Sequence, residues 1–423
     1  MIIVAGIFYV KPRLPILNGY SAKKACSCYF ISGRSLSSIK ANDLQIFPTN
    51  YAKIKIEDNT VTSTFFGFGA RKAVFKKGLG CTLLPIESEK IENKNTLNIE
   101  YKNDGFFSNT TPSGNAKLAK AINNAFDNDN EKIKKTRAVV VLKDGQLIAE
   151  KYAEGFNYKT PILGWSMTKS ITSAAVGILV KQGKLSIDKS NLFKEWEQDD
   201  RKEITINDLL HMGSGLTWDE TYKEISDATI MLYTKKDFST FAINKPLAYK
   251  PNSTWNYSSG TTNIVSKIIS EQFSTQNEYY QFFYDELLLK IGMQNVVLET
   301  DATGLLVGSS YCYATPRDWA RFGQLYLNDG VWNGERLLPE GWVEYSYTNY
   351  EPSKGEYGAH WWINKSKKLK DIDENVYWCS GFQEQRVFVV PNENMIVVRL
   401  GLSDKDSFDF NTFLSEIIEA TKN

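Results

Sequence analysis

Histidine is nearly missing from this chain: His211 and His360 are the only two in 423 residues. No H-E-x-x-H pair and no C-x-x-C pair occurs, so the common zinc-ligand spacings are lacking and neither a metal nor another cofactor is implied. A Ser-His-Asp triad would have to draw on one of those two histidines. Charge of one sign is also lacking: 50 Lys and Arg oppose 49 Asp and Glu, a net of +1. Without a basic field to gather phosphates, nucleic acid is excluded as a partner. Five cysteines are too few, and odd in number, for a disulfide-dense scaffold. The one apolar run near the start, residues 2–10, falls far short of the roughly 20 residues that cross a bilayer.

What remains is an ordinary folded composition, 42% hydrophobic and 13% aromatic. At about 150 residues per domain, the length predicts two or three domains. Residues 2–10 are followed by Lys11-Pro12-Arg13, the reverse of a secretory signal, which carries its basic residues first. Residues 1–13 therefore read as the remnant of a signal anchor, or else as a first strand or loose end. The first reading puts the protein in the periplasm or tethered to a membrane, and the second suits the cytoplasm. Residues 14–112 read as a β-rich N-terminal domain, with strand formers over 61–66 and Gly67, Gly69, Gly78 and Gly80 as punctuation. Cys26 or Cys28 can pair with Cys81, all three lying in the first quarter of the chain; free buried thiols are the alternative. The polar stretch 102–115 reads as a linker and sets a boundary near 112.

Residues 113–423 read as a second domain. Asp144-Gly145 separates apolar runs at 137–142 and 146–152, a tight-hairpin signal. Runs at 386–390 and 395–400 flank Pro391-Asn392-Glu393-Asn394 in the same manner, and a helix over 409–421 closes the chain. Pairing both hairpins in one antiparallel sheet, flanked by helices and joined to a mainly helical lobe built from the middle of the chain, is the economical α+β arrangement. The cleft between sheet and lobe is then the natural site.

Three clusters carry chemistry. Ser166 and Lys169, in Gly164-Trp165-Ser166-Met167-Thr168-Lys169, stand three apart at the head of a small, apolar helical stretch. Ser166 would sit among free helix N-terminal amides, and burial would lower the Lys169 pKa until the amine accepts the serine proton. The S-x-x-K spacing recurs at Ser21/Lys24, Ser37/Lys40 and Ser186/Lys189, and none of these leads into an apolar helix. Tyr257, in Trp255-Asn256-Tyr257-Ser258-Ser259, stands in a loop before a helical stretch; beside an ammonium its phenol would ionise more easily. The third cluster, Trp378 to Gln385, leads into a strand whose edge offers amides to an oxyanion. Taken alone, the bland readings of these residues are a capping serine, a solvated lysine, a packing tyrosine and a plain core strand.

In this order the clusters resemble the serine β-lactamase-like superfamily, which holds class C β-lactamases, penicillin-binding peptidases, family VIII esterases and 6-aminohexanoate-dimer hydrolase-like enzymes; the likeness is strongest to the last. Asn207-Asp208-Leu209-Leu210-His211-Met212-Gly213-Ser214-Gly215-Leu216 and Ala314-Thr315-Pro316-Arg317-Asp318-Trp319 look like later motifs of the same group. The resemblance spans residues 130–423. It implies Ser166 as acylated nucleophile, Lys169 and Tyr257 as acid/base partners, and the Ser166 and Gln385 amides as an oxyanion hole. It sets Ser259 at the third place of a Y-x-N element. The K-T-G or H-x-G element then reads Phe382-Gln383-Glu384, without cation or glycine, which argues against β-lactam turnover. Trp165, Asp219, Ser259, Phe382, Gln383 and Glu384 are the candidate substrate-binding residues, and His211 and His360 are expected to be structural. The expected function is a serine hydrolase of a small amide or ester. A D-alanyl-D-alanine peptidase, or a catalytically silent peptide or peptidoglycan binder on the same fold, is the alternative.

Overall fold

The computed structural model describes residues 11–88, 95–100, 106–107, 114–127, 133–222 and 224–422. Most of residues 1–13, and the boundary expected near 112, lie outside them.

The segment read as β-rich opens with a helix, α1 (Leu14–Phe30). It then forms an antiparallel meander of β1 (Ala52–Glu57), β2 (Thr60–Phe65), β3 (Phe68–Lys76) and β4 (Gly80–Leu83). Helix and sheet share a small core of Ala22, Ala25, Ile39, Leu44, Ile54, Val61 and Ala73. Cys26 on α1 is bonded to Cys81 on β4, while Cys28, Cys312 and Cys379 are buried thiols. The disulfide closes a loop 55 residues long, and by the chain-entropy account such a link contributes about 4 kcal/mol.

The second part begins with α2 (Ala116–Asn124), then the hairpin of β5 (Thr136–Lys143) and β6 (Gln146–Tyr152). Asp144 and Gly145 both have positive φ, as the two-residue turn requires. The short β7 (Ile162–Leu163) leads into α3 (Thr168–Lys181), and helices at Asp227–Thr234 and Phe238–Ile243 and α4 (Ser259–Ser270) build the lobe. β8 (Val297–Leu298) and β9 (Cys312–Ala314) join β7 in a three-stranded sheet, and α5 (Pro316–Leu327) follows. After the small ribbon of β10 (Val331–Trp332) and β11 (Glu335–Arg336) come β12 (Trp362–Ile363), β13 (Tyr377–Gly381), β14 (Gln385–Val390), β15 (Met395–Gly401) and the closing α6 (Phe410–Thr421).

The main sheet has the order β12-β13-β14-β15-β5-β6, so the two expected hairpins pair through β15 and β5. Successive strand residues point to opposite faces. Val140, Leu142, Val387, Val389, Ile396 and Val398 therefore pack with α3 and α5, and Val139, Val141, Phe388, Val390 and Val397 with α2 and α6. Both faces are covered, which explains why these strands read as unbroken apolar runs.

The N-terminal unit is bolted to this domain by buried charge. Asp43, fully buried, takes Arg137 on β5 at 2.8 and 3.1 Å, Arg34 in a charged hydrogen bond, and Lys24 at 3.6 Å. Burial pushes the Asp43 pKa up, but Arg137, Lys24 and Arg34 outweigh it and hold the carboxyl well below its usual range. A second bolt is Glu299, just after β8: its carboxylate accepts Lys23 and Ser27 of α1 and the Cys81 amide. Asp43→Asn leaves three buried cations without their anion. It is expected to cost about 3–5 kcal/mol in urea unfolding; a loss below about 1 kcal/mol would show that Asp43 does not join the two parts.

Candidate active site

Ser166 lies in a single 3-10 turn (Trp165–Met167) that runs straight into α3, among amides the helix leaves unpaired. Lys169 is one turn further on and points to the same spot. The stretch after it, Ile171 to Leu179, is buried throughout, so the lysine is carried into the interior and is 1% exposed. Its Nζ donates to Ser166 Oγ at 3.1 Å, Ser259 Oγ at 3.0 Å and the Ser309 carbonyl at 3.0 Å. All three acceptors are neutral. Burial therefore lowers the Lys169 pKa to about 8, against an opposing pull from the Glu220 charge.

The Tyr257 ring lies 4.8 Å from Lys169 Nζ, and donation from Ser166 and Trp362 toward its oxygen pulls its pKa down. The expectation that this phenol would ionise easily is reversed. Burial and the Glu220 charge push its pKa far above the ordinary value, outweighing the hydrogen bonds that favour the phenolate. Tyr257 is a protonated phenol at rest.

Ser259 begins α4 two residues later and links Lys169 to Glu220, donating to Oε1 at 2.5 Å. Glu220 has four donors around it: the Ser259 hydroxyl and amide, Trp218 Nε1 and the Tyr222 hydroxyl. Its acceptor sites are filled from within, so it buttresses the Lys169 side and is not free for a substrate amine. Asp219, the neighbour named from sequence, turns outward, exposed, to accept the Thr221 amide.

Trp165 holds φ +50°, a conformation costly for a bulky residue. It is 3% exposed, a buried wedge beneath Ser166 with little surface open to a substrate. Its ring is caught between Lys24 of α1, 5.4 Å away, and Phe382, with centroids 5.5 Å apart, while Nε1 donates to Gln383 Oε1 at 3.2 Å.

The sheet topology corrects the strand assignment. Gln385 starts β14, an interior strand between β13 and β15, and its side chain is spent on Gly401 and on the carbonyls of Phe382 and Gln383. The open edge beside Ser166 is the end of β13, because β12 covers only its first residues, Tyr377 and Trp378. A Cβ on Gly381 would lie 2.0 Å from the Gly164 carbonyl oxygen. Gly381, three residues before the place where the resemblance looks for a glycine, therefore packs directly on the turn that carries Ser166. Glu384 turns away from Ser166 to pair with Arg386 at 2.9 Å and to cap the Asp406 amide. Phe382 stacks on Tyr222 at 4.9 Å and shapes the cleft wall.

A family model described as Beta-lactamase matches residues 129–412. The chain belongs to the beta-lactamase family. It is similar to the 6-aminohexanoate-dimer hydrolase of Paenarthrobacter ureafaciens, 23% identical over 293 residues that span 63% of this chain and 72% of that one. Among solved structures it is similar to the penicillin-binding protein of Bacillus halodurans, with TM-score 0.54, 17% identity, 72% of this chain and 100% of that one covered. It is also similar to EstCE1, a hydrolase with promiscuous acyltransferase activity, with TM-score 0.60, 12% identity and 73% and 99% covered. At such identities the structural likeness speaks for the fold. This beta-lactamase-family protein is a hydrolase of the serine amidase or esterase type.

Both histidines of this family member hold the scaffold. His360 Nδ1 sits 3.0 Å from the Lys169 carbonyl, and burial with the Lys169 charge lowers its pKa to about 3, so it stays neutral. His211 rests against Tyr345 and Tyr350. Two substitutions test the geometry. Gly381→Ala must push β13 off the nucleophile turn, and kcat is expected to fall by about 100-fold or more; wild-type kcat would refute the contact. Glu220→Gln removes the charge that raises the Lys169 pKa, so the acid limb of the kcat/KM–pH profile is expected to move to lower pH. An unmoved limb would show that Glu220 does not act on Lys169.

Proposed function

We propose that the protein hydrolyses a small amide or ester through an acyl-enzyme on Ser166. The observation that carries this reading is the buried Lys169 amine, 3.1 Å from Ser166 Oγ and ringed by neutral acceptors. With a pKa of about 8, roughly a tenth of it is neutral at pH 7. Neutral Lys169 takes the Ser166 proton as Oγ attacks the carbonyl. The oxyanion that forms is held by the Ser166 amide and by the amide that follows Gly381, that of Phe382. Tyr257, protonated at rest, gives its proton to the departing amine or alkoxide, and the Lys169 ammonium restores it. Water then attacks the acyl-enzyme with neutral Lys169 as its base, and the proton passes to Ser166 Oγ as it leaves.

The cleft favours substrates without a carboxylate beside the scissile bond. Arg386, whose charge acts on Tyr257, is held by Glu384, donates to the Gln385 carbonyl at 2.9 Å and lies over Phe410. This supports an amide or ester hydrolase over a D-alanyl-D-alanine peptidase. The N-terminal unit over 14–112 acts in this reading as a platform that steadies Trp165 through Lys24. The Cys26–Cys81 disulfide supports an oxidising compartment such as the periplasm. Among the described residues no helix is long and apolar enough to cross a membrane.

A fluorophosphonate probe is expected to add its mass to Ser166 and to nothing in Ser166→Ala, and Lys169→Ala should lower turnover of small esters and amides by about 10²–10⁴-fold. No adduct at Ser166, or binding without turnover across ester, amide and β-lactam panels, would reject the reading in favour of a silent binder. Release of D-alanine from a pentapeptide, faster than ester turnover, would point to a peptidase.

A further inference from the structure

The turn that joins β13 to β14 is held more firmly than a hairpin turn requires. Gln383 and Glu384 stand at φ +62° and +64°, a left-handed conformation that favours glycine and is costly for longer side chains. Turn carbonyls commonly face water. Here four in succession accept from side chains. Gly381 is bonded by Arg386 Nη1 at 3.4 Å, Phe382 and Gln383 by Gln385 Nε2 at 3.1 and 2.9 Å, and Glu384 by Arg399 Nη1 at 2.9 Å. Backbone strain that its surroundings over-determine in this way collects at functional sites.

Gln385 is the centre of that frame, and it is 1% exposed. Main-chain pairing between β14 and β15 runs up to Arg386 and Arg399, two residues short of Gly401. The Gln385 side chain carries the pairing further: Nε2 donates to the Gly401 carbonyl at 2.7 Å, and Oε1 accepts the Gly401 amide at 2.9 Å. The same Nε2 reaches the Phe382 and Gln383 carbonyls. Reversing the amide would set its oxygen against three carbonyls, so only one orientation satisfies it. A backbone-like pair on β15 thus becomes the mount for a strained turn.

The turn is also tied to Ser166. Gly381, at its start, packs on the Gly164 carbonyl, and Gln383 Oε1 accepts Trp165 Nε1 at 3.2 Å. Trp165, itself at φ +50°, directly precedes Ser166. The two amides proposed above for the oxyanion, those of Ser166 and Phe382, therefore stand on two strained turns bonded to each other. Such a donor works only when fixed at about 2.7–3.1 Å from the place where charge develops. Relaxation of residues 383 and 384 would rotate the Phe382 peptide and aim its N–H elsewhere.

Resting on the reading of Ser166 as the acylated serine, we propose that Gln385 is a positioning residue for the oxyanion: its side-chain amide clamps the left-handed turn and so aims the Phe382 amide. It acts through Phe382 and touches no reacting atom.

The test compares Gln385→Met, which keeps the length and loses every side-chain hydrogen bond, with Gln385→Glu, which keeps the acceptor for the Gly401 amide and loses both N–H donors. Turnover of a p-nitrophenyl ester and inhibition by phenylboronic acid are measured per folded molecule, counted by near-ultraviolet circular dichroism. The boronate forms a tetrahedral adduct on a serine oxygen and places an oxygen where the oxyanion would form. Both variants are expected to lose about 100-fold in kcat, with KM moved by less than about threefold, and to bind the boronate more weakly by a matching factor. A loss of activity that only follows the folded fraction, a raised KM with kcat intact, or an unchanged boronate affinity would each overturn the proposal. Fluorophosphonate labelling of wild-type Ser166 separates the two levels. A wild type that is labelled, beside variants with wild-type kcat, removes the positioning role alone; a wild type that is not labelled removes the hydrolase reading and this proposal with it.

Discussion

The structure depends on an amine buried without a carboxylate in contact. Lys169 Nζ meets two hydroxyls and a carbonyl, and the nearest anion, Glu220, reaches it only through Ser259. A direct Lys–Glu pair would hold the lysine charged and unfit for the role proposed for it. Desolvation alone would drive its pKa lower still, leaving an amine too weak to take the serine proton. The Ser259 bridge sets a middle course, in which burial dominates and Glu220 moderates.

Everything around that amine serves to keep its position. α3 carries Lys169 and the turn before it Ser166, α4 begins at Ser259 with Tyr257 in the loop just before it, and β13 closes in through Gly381. Behind Ser166, the strained Trp165 turn is held by Lys24 on one side and by Phe382 and Gln383 on the other. α1 itself is tied to the hydrolase domain by Asp43 and Glu299 and to its own sheet by the disulfide. The N-terminal unit is thus mechanically continuous with the turn that presents Ser166.

Much of this was legible in the sequence, and the failures have physical causes. Asp144-Gly145 and the apolar runs on either side announced the hairpins, and only the S-x-x-K at Ser166 led into a stretch able to bury its lysine. α1 escaped because its pattern is polar where it is buried: Asn18, Lys23, Lys24 and Ser27 are inside, held by carbonyls and carboxylates of distant segments, and Ser21 is inside too, held by the Leu17 carbonyl one turn back. No periodicity reports such partners. Nothing in the sequence separates Glu220 from its neighbour Asp219, since adjacent acids look alike until the chain's direction is known. Gln385 was preferred to the end of β13 because strand order, which separates an edge from an interior strand, is not written in any local motif. Tyr257 was given an easily ionised phenol because a nearby amine was counted as charge, whereas burial acts on both groups.

The most direct measurement is the rate at which a fluorophosphonate acylates Ser166 as a function of pH, followed by intact mass on the full chain. The account predicts a rate that rises with pH to a plateau, with a midpoint near 8, where Lys169 loses its proton. A flat profile from pH 6 upward, or a midpoint above 10, would mean that the buried amine is not the base and would contradict the account.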